Sequence, residues 1–148
     1  MFVPLWFIFF AQNWWTKREG LQLKHETGKI GGAIQLYFAG AFSFMPLTSD
    51  VVVPSATTDQ RARIAVVGLL APTAIAMGFW YAFKVTKIPE LLFIADAFLI
   101  YPMVQCFPLH PLEGIFIWRW SKTYWVELFL IIMSMFMLAA SEGLQNVI

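Results

Sequence analysis

The sequence predicts an all-α integral membrane protein, a polytopic bundle of about five transmembrane helices (between four and six) in one domain, residues 1–148. Apolar residues make up 59% of the chain and charged residues only 13%, against about 25% charged in an ordinary soluble domain. Aromatic residues make up 18% of the chain and add to the apolar surface. Because a small domain leaves much of its surface exposed, 148 residues cannot bury this much apolar surface. The surrounding solvent is therefore expected to be partly lipid.

Each predicted span is an apolar stretch near the length of roughly 20 residues that a bilayer crossing requires. The first and last stretches are short, and they are extended by aromatic residues of the kind found at membrane interfaces, Trp14 and Trp15 in one case and Tyr124 and Trp125 in the other. The third stretch contains no charged residue. The predicted spans are residues 1–15, 30–47, 64–83, 91–107 and 124–140.

The connections between these spans predict an orientation. In chain order they carry four, two, two and two Lys or Arg residues. If successive connections alternate sides, the first and third share one side with six basic residues. Because cytoplasmic loops carry an excess of Lys and Arg, this arrangement favours an outside N-terminus and a cytoplasmic C-terminus. The expected location is the plasma membrane, with several crossings.

Small residues in the third span predict a surface for close helix packing. Gly68, Ala71, Ala74 and Gly78 recur at spacings of three, three and four, which leaves a smooth face that another helix can approach.

Asp96 is the most deeply placed charge, five residues into the fourth span. A carboxyl group at membrane depth must be protonated, paired or in contact with water. We expect a structural hydrogen bond within a helix interface, with Lys84, Lys87 or another subunit as the partner. A proton or substrate pathway is the alternative.

The end of the fourth span carries the residues most capable of chemistry. Cys106, His110 and Glu113 have i, i+4, i+7 spacing, which would place them on one face of a helix. Pro108 and Pro111 argue against a continuous helix there. These three residues are therefore weak candidates for a zinc site.

Met133, Met135 and Met137 could bind Cu(I) through their soft thioether groups. On a helix, however, Met135 faces away from the other two, and methionine is a common filler of apolar packing. No cofactor is expected. The net charge of +1 argues against a nucleic-acid partner, which would require a basic patch or stripe.

Residues 105–114, Q-C-F-P-L-H-P-L-E-G, resemble the F-N-L-x-P-x-x-P-L-D-G signature of the site-2 protease family of intramembrane zinc metalloproteases, particularly its archaeal members. Glu113 falls where the family has a zinc-binding Asp, Gln105 where it has a supporting Asn, and Gly114 on the Gly of the motif. Residues 118–125 and 65–73 look like two further family segments, F-R-W-N-K-x-x-W and A-x-A-G-P-x-x-N. The resemblance covers about residues 17–140 and implies a core similar to site-2 protease.

The chain departs from this family at the catalytic helix. The family motif H-E-x-x-H provides two zinc ligands and a general base, and its positions fall here on Ile8, Phe9 and Gln12. None of these is His or Glu. Catalytic zinc usually has three protein ligands, and only Glu113 is retained as a candidate. The resemblance therefore implies a pseudo-protease without enzymatic activity.

A retained scaffold without its chemistry predicts a structural or accessory subunit of a larger membrane complex. The expected partners are other integral membrane subunits in a hetero-oligomer, together with lipids, and the archaeal resemblance points to an archaeal membrane oxidoreductase as one host. Two alternatives stay open. The chain could be an inactive homologue that binds transmembrane helices and regulates their proteolysis or traffic. It could also be an active intramembrane metalloenzyme whose remaining ligands come from elsewhere.

Overall fold

The computed structural model of the chain describes residues 3–22, 24–26, 50–109 and 112–145, and this part is predominantly helical. The all-α prediction holds except for two strands of three residues each. The predicted span 30–47 and the candidate ligand His110 lie outside the described residues. The elements are α1 (Val3–Arg18), β1 (Lys24–Glu26), β2 (Asp50–Val52), α2 (Thr58–Thr86), α3 (Pro89–Gln105), α4 (Gly114–Trp120) and α5 (Lys122–Gln145).

Two of the described helices are long and apolar enough to cross a membrane, α2 and the stretch Lys122–Glu142 of α5.

Helix α2 begins six residues before the predicted apolar span because a capping box defines its start. The Thr57 hydroxyl accepts from the Gln60 backbone N–H at 3.3 Å, and the Gln60 side chain accepts from the Thr57 N–H at 3.0 Å. These two bonds satisfy donors that the first helical turn leaves free.

The turn between α2 and α3 is short and well defined. Lys87 closes α2 in the left-handed conformation, with φ 58°, and its N–H donates to the Phe83 carbonyl. Ile88 is extended, and Pro89 occupies the first position of α3, where a missing N–H has no cost. The two helices are therefore joined by only two residues.

Helix α4 was not predicted, because residues 108–123 read as a connection between spans. Its seven residues are too few to give a span signal, and two prolines precede it. Ser121 then adopts an extended conformation and separates α4 from α5.

The two ends of the helical bundle carry different numbers of Lys and Arg side chains. Trp15 near the end of α1, Arg63 near the start of α2, and Trp120 and Tyr124 at the α4–α5 junction line one cleft. We call this the basic end, since it also carries Lys17, Arg18, Arg61, Arg119 and Lys122.

The other end, the opposite end, is where α2 meets α3 and where Lys84 of α2 bonds to Glu142 of α5. Among the described residues its basic side chains are Lys84 and Lys87. Helix α1 therefore ends where α2 begins, and the expectation that the first two connections lie on alternating sides is wrong. Residues of these two connections, Lys24–Glu26 and Asp50–Val52, pair with each other, so both connections lie at one end of the bundle.

The two strands pair antiparallel, with Glu26 opposite Asp50. Val53, which follows β2, is buried, and its carbonyl accepts a 3.2 Å hydrogen bond from Arg61 Nη2 of α2. The small sheet is thereby attached to the first turns of α2 at the basic end.

The apolar core has one cluster in each half of the bundle. In the half nearer the basic end, α2, α4 and α5 pack around Leu69, Ile117 and Ile132. In the other half, α2, α3 and α5 pack around Phe83, Phe98 and Leu99. Between the first cluster and α1 lies a small group of buried polar side chains.

Candidate functional site

The buried polar group is centred on a hydrogen bond between α1 and the start of α4. Gln12 Nε2 donates to Glu113 Oε1 at 2.5 Å across 101 residues of sequence. Both residues are buried, with exposed fractions of 1% and 6%. We call this group, with Gln105, the Gln12–Glu113 cluster.

Gln105 and Thr16 hold this cluster in place from the neighbouring turns. Gln105 at the end of α3 is buried, and its Oε1 accepts from the Glu113 backbone N–H at 3.3 Å. Thr16, fully buried one turn after Gln12, donates to the Gln12 carbonyl at 2.5 Å. The structure thus brings together Gln12, Gln105 and Glu113, three of the positions that the sequence resemblance selected.

Gly68 of α2 forms the wall of the cluster. A Cβ atom at this position would lie 2.7 Å from Glu113 Oε2 and closer still to Gln12 Nε2. No side chain fits there without displacing the hydrogen-bonded pair. Sequence reasoning placed Gly68 on a packing face for other helices and missed its contact with the cluster.

Gly114 is required by the close passage of the chain between α3 and α4. A Cβ atom at this position would overlap the backbone carbonyls of Cys106 and Phe107. Because those atoms belong to the main chain, they cannot move aside by a rotamer change. Gly114 therefore sets the turn that brings Glu113 to Gln12.

The remaining two positions from the resemblance lie on α1. Phe9 is half-buried, three residues before Gln12, and Ile8 belongs to the same helix. Neither carries a group that could take part in acid–base or metal chemistry.

Burial changes the acid–base properties of Glu113. Loss of hydration raises the pKa of its carboxyl group from 4.5 to about 7, and the hydrogen bond from Gln12 opposes part of this rise. The second carboxyl oxygen, Oε2, and Gln12 Oε1 find no hydrogen-bond partner among the described residues. A protonated Glu113 is therefore a substantial fraction of the population near neutral pH.

The residues of the cluster do not fit a catalytic zinc ion. Zinc in proteins is held by thiolate, imidazole or carboxylate groups, and this cluster offers one carboxyl group and two amides. Gln12 and Glu113 bond directly to each other, and the adjoining cavity, lined by Arg61, Ile64 and Glu113 among others, measures about 10 Å³. That is room for about one water molecule. Across residues 3–22, 24–26, 50–109 and 112–145, no group of three His, Cys, Asp or Glu residues could hold a metal.

The other candidate ligands are not gathered at one point. Cys106 is fully buried in the apolar cluster with Leu69 and Ile132. Its backbone carbonyl accepts a 2.7 Å hydrogen bond from Trp125 Nε1. Met135 packs against the apolar cluster of the other half, whereas Met137 is exposed. The methionines therefore do not face a common copper site in the described part of the chain.

Asp96 is half-buried on α3, and its Oδ1 has no partner within the described part of the chain. The two lysines considered as its partners are engaged elsewhere. Lys84 bonds to Glu142 and lies 5.4 Å from the Trp80 ring centre, and Lys87 lies over the Phe83 ring.

The four small residues of α2 do not share one environment, because Gly68 is buried in the cluster while Ala74 and Gly78 are exposed.

The chain matches no protein-family model, no curated protein and no solved structure.

Proposed function

We propose that this chain is a non-catalytic membrane subunit on a scaffold resembling site-2 protease, and that it serves as a structural or accessory component of a larger membrane complex. The supporting observation is the Gln12–Glu113 bond. Two positions that the resemblance aligns with zinc ligands are in direct contact, and an amide occupies one of them. The contact joins α1 to the start of α4, as a metal ion bound by both side chains would. It leaves no metal-bound water that could carry out hydrolysis.

A membrane setting is supported by the exposed apolar surface of α5. Only 17% of its span-length stretch is buried within the chain, so this helix is unlike the core helix of a soluble protein. Exposed apolar side chains line it from Val126 through Leu130 and Ile131 to Leu138. Lipid or other transmembrane helices would cover this surface.

Charge supports an orientation for the proposed spans. The basic end carries most of the described Lys and Arg side chains, and the positive-inside rule assigns such an end to the cytoplasm. This orientation keeps the start of α1 outside, as the alternating connections predicted, and differs from that prediction by placing the end of α5 outside as well. A multi-pass location in the plasma membrane is part of the same proposal.

Assembly with other subunits is supported by Asp96. A carboxyl oxygen on the apolar helix α3 without a described partner is costly in a lipid environment. A donor from a neighbouring subunit would remove that cost. The partners proposed are therefore integral membrane subunits, with an archaeal membrane oxidoreductase as one host complex.

The alternatives have less support from the geometry. A regulator that binds transmembrane helices at the former active centre would need an accessible groove beside Glu113, and the adjoining cavity is about 10 Å³. A working metalloenzyme would need at least two ligands besides Glu113, supplied by residues outside the described part or by a partner chain.

The deciding experiment is purification of the particle containing this chain from its native membranes in a mild detergent. We expect stoichiometric co-purification with several other membrane proteins. Substituting Asp96 by Asn should reduce the yield of the intact particle, while Glu90→Gln at the exposed start of the same helix should not. A lone chain or a simple homo-oligomer would contradict the accessory role.

Metal analysis separates the enzyme alternative. We expect the purified particle to have the same metal content in the wild type and in Glu113→Ala. Loss of one equivalent of zinc in Glu113→Ala would contradict the pseudo-protease proposal and support a metal centre completed by other residues.

A further inference from the structure

The basic end contains a cleft that is separate from the Gln12–Glu113 cluster. It measures about 280 Å³ and is lined by Trp15 of α1, Arg63, Val66 and Val67 of α2, Trp120 of α4 and Tyr124 of α5. We propose that this cleft binds the phosphodiester headgroup region of an anionic membrane phospholipid. The proposal rests on the membrane setting of the proposed function and not on its accessory role.

The polar groups at the cleft match a phosphodiester. Arg63 contacts Asp59 through Nε at 2.9 Å, with both side chains about half exposed, so a second acceptor can be bound by the two Nη groups. Guanidinium groups bind phosphate through paired hydrogen bonds. The contact with Asp59 orients the guanidinium while contributing little energy itself, as is usual for exposed pairs.

Trp15 provides an independent indication of a ligand. Its indole N–H is buried and has no acceptor among the described residues. A buried donor without an acceptor is unfavourable, and this one belongs to a side chain that lines the cleft. Arg18 lies 5.8 Å from the Trp15 ring centre and adds a second cation beside the cleft. These two arginines favour an anionic headgroup over a zwitterionic one.

The apolar walls match the part of a phospholipid below its headgroup. Val66 and Val67 continue along α2 to Leu70, which is exposed. Trp and Tyr side chains commonly lie at the level of lipid headgroups, and the cleft is formed where α1 ends and α2 and α5 begin. A volume of about 280 Å³ accommodates a headgroup with its glycerol but not two acyl chains, which would run along α2 and α5.

The test uses the full chain purified in a mild detergent. Native mass spectrometry would measure retention of phosphatidylglycerol, with phosphatidylcholine as the zwitterionic comparison. We expect one phosphatidylglycerol per chain and a loss of about tenfold in affinity for Arg63→Gln, the scale of a charged hydrogen bond. Trp15→Phe, which keeps an aromatic ring and removes the N–H, should weaken retention several-fold.

The matched control is Arg119→Gln, which removes the same charge from the same end of the bundle outside the cleft. Equal losses for Arg63→Gln and Arg119→Gln would overturn the proposal, because they would show general attraction to a basic surface. Displacement of the lipid by millimolar inorganic phosphate would also overturn it, since the apolar walls would then contribute nothing.

A membrane-extraction measurement distinguishes this proposal from the proposed function. If the full chain is removed from vesicles by alkaline washing, the membrane setting fails and the phospholipid site fails with it. If the chain stays in the membrane but retains no phosphatidylglycerol, only the phospholipid site is overturned.

Discussion

The two glycines of α2 lie in contrasting surroundings although they were expected to share one packing face. Gly68 is buried against the polar side chains of Gln12 and Glu113, and a Cβ atom there would collide with both. Gly78 is exposed, and a Cβ atom there would meet nothing within 4 Å. Helical spacing places small residues on one side of a helix, but the side chains that surround each position determine its structural role. Gly68 permits a close approach inside the chain, whereas Gly78 leaves space outside it.

The same contrast extends to the two halves of the bundle. The half nearer the basic end is held by buried polar contacts and by the tight turn at Gly114. The half nearer the opposite end is held by aromatic packing, such as Phe79 on Phe98 with ring centres 5.9 Å apart, and by the Lys84–Glu142 ion pair at the bundle surface. Substitutions in the first half should therefore be more costly and more dependent on pH.

The largest expected effect is that of Gly114→Ala. The added methyl group would overlap main-chain carbonyls, so the turn between α3 and α4 must open. We expect a loss of about 3 to 4 kcal/mol in the free energy of unfolding, measured by denaturation of the full chain in detergent. A loss below about 1 kcal/mol would show that this turn is adaptable.

The second effect is a pH dependence that comes from Glu113. Because its folded-state pKa of about 7 lies above the ordinary 4.5, the folded chain binds more protons than the unfolded chain between these values. The contribution of Glu113 to stability should therefore fall as pH rises from 4.5 to 7, by about 3 kcal/mol in total, and that contribution should be level outside this window.

Glu113→Gln provides the control for the pH effect. It keeps an oxygen that accepts from Gln12 and removes the ionisation. The contribution of this site should then be level from pH 4.5 to 7, and the variant should be more stable than the wild type above pH 7. An unchanged pH profile would contradict the assignment to Glu113.

The third effect compares the two glycines directly. Gly68→Ala should lower the free energy of unfolding by about 2 kcal/mol, because the buried hydrogen-bonded pair must move. Gly78→Ala should raise it by up to about 1 kcal/mol, since alanine favours a helix and has space there. Equal effects at both positions would remove the distinction between the two halves.

The smallest effect is expected from the ion pair. Lys84→Met should cost no more than about 1 kcal/mol, because partly exposed pairs contribute little. The measurement is the salt dependence of the free energy of unfolding. The wild type should lose the stabilisation from this ion pair at high ionic strength, and the variant has no such stabilisation to lose. A larger loss would show that the opposite end also depends on polar contacts.

Hydropathy and aromatic placement were sufficient to locate α1, α2, α3 and α5, with no helix end displaced by more than six residues. They missed α4, since seven residues between prolines and a serine leave no periodic signal. The meeting of Gln12 with Glu113 was accessible only through the family resemblance, because no spacing rule relates residues 101 positions apart. The cleft at Arg63 could not be predicted, as its walls come from four separate helices and none contains a motif.

The two-residue turn between α2 and α3 has a consequence for membrane insertion. If these helices span the bilayer as proposed, so short a link prevents them from entering one at a time, and they must be inserted together as a helical hairpin. The charged groups at its tip that would have to be translocated are Lys84, Lys87 and Glu90. Neutralising the two lysines should ease this step, and adding cations at Val85 or Ile88 should retard it, independently of the stability of the folded chain.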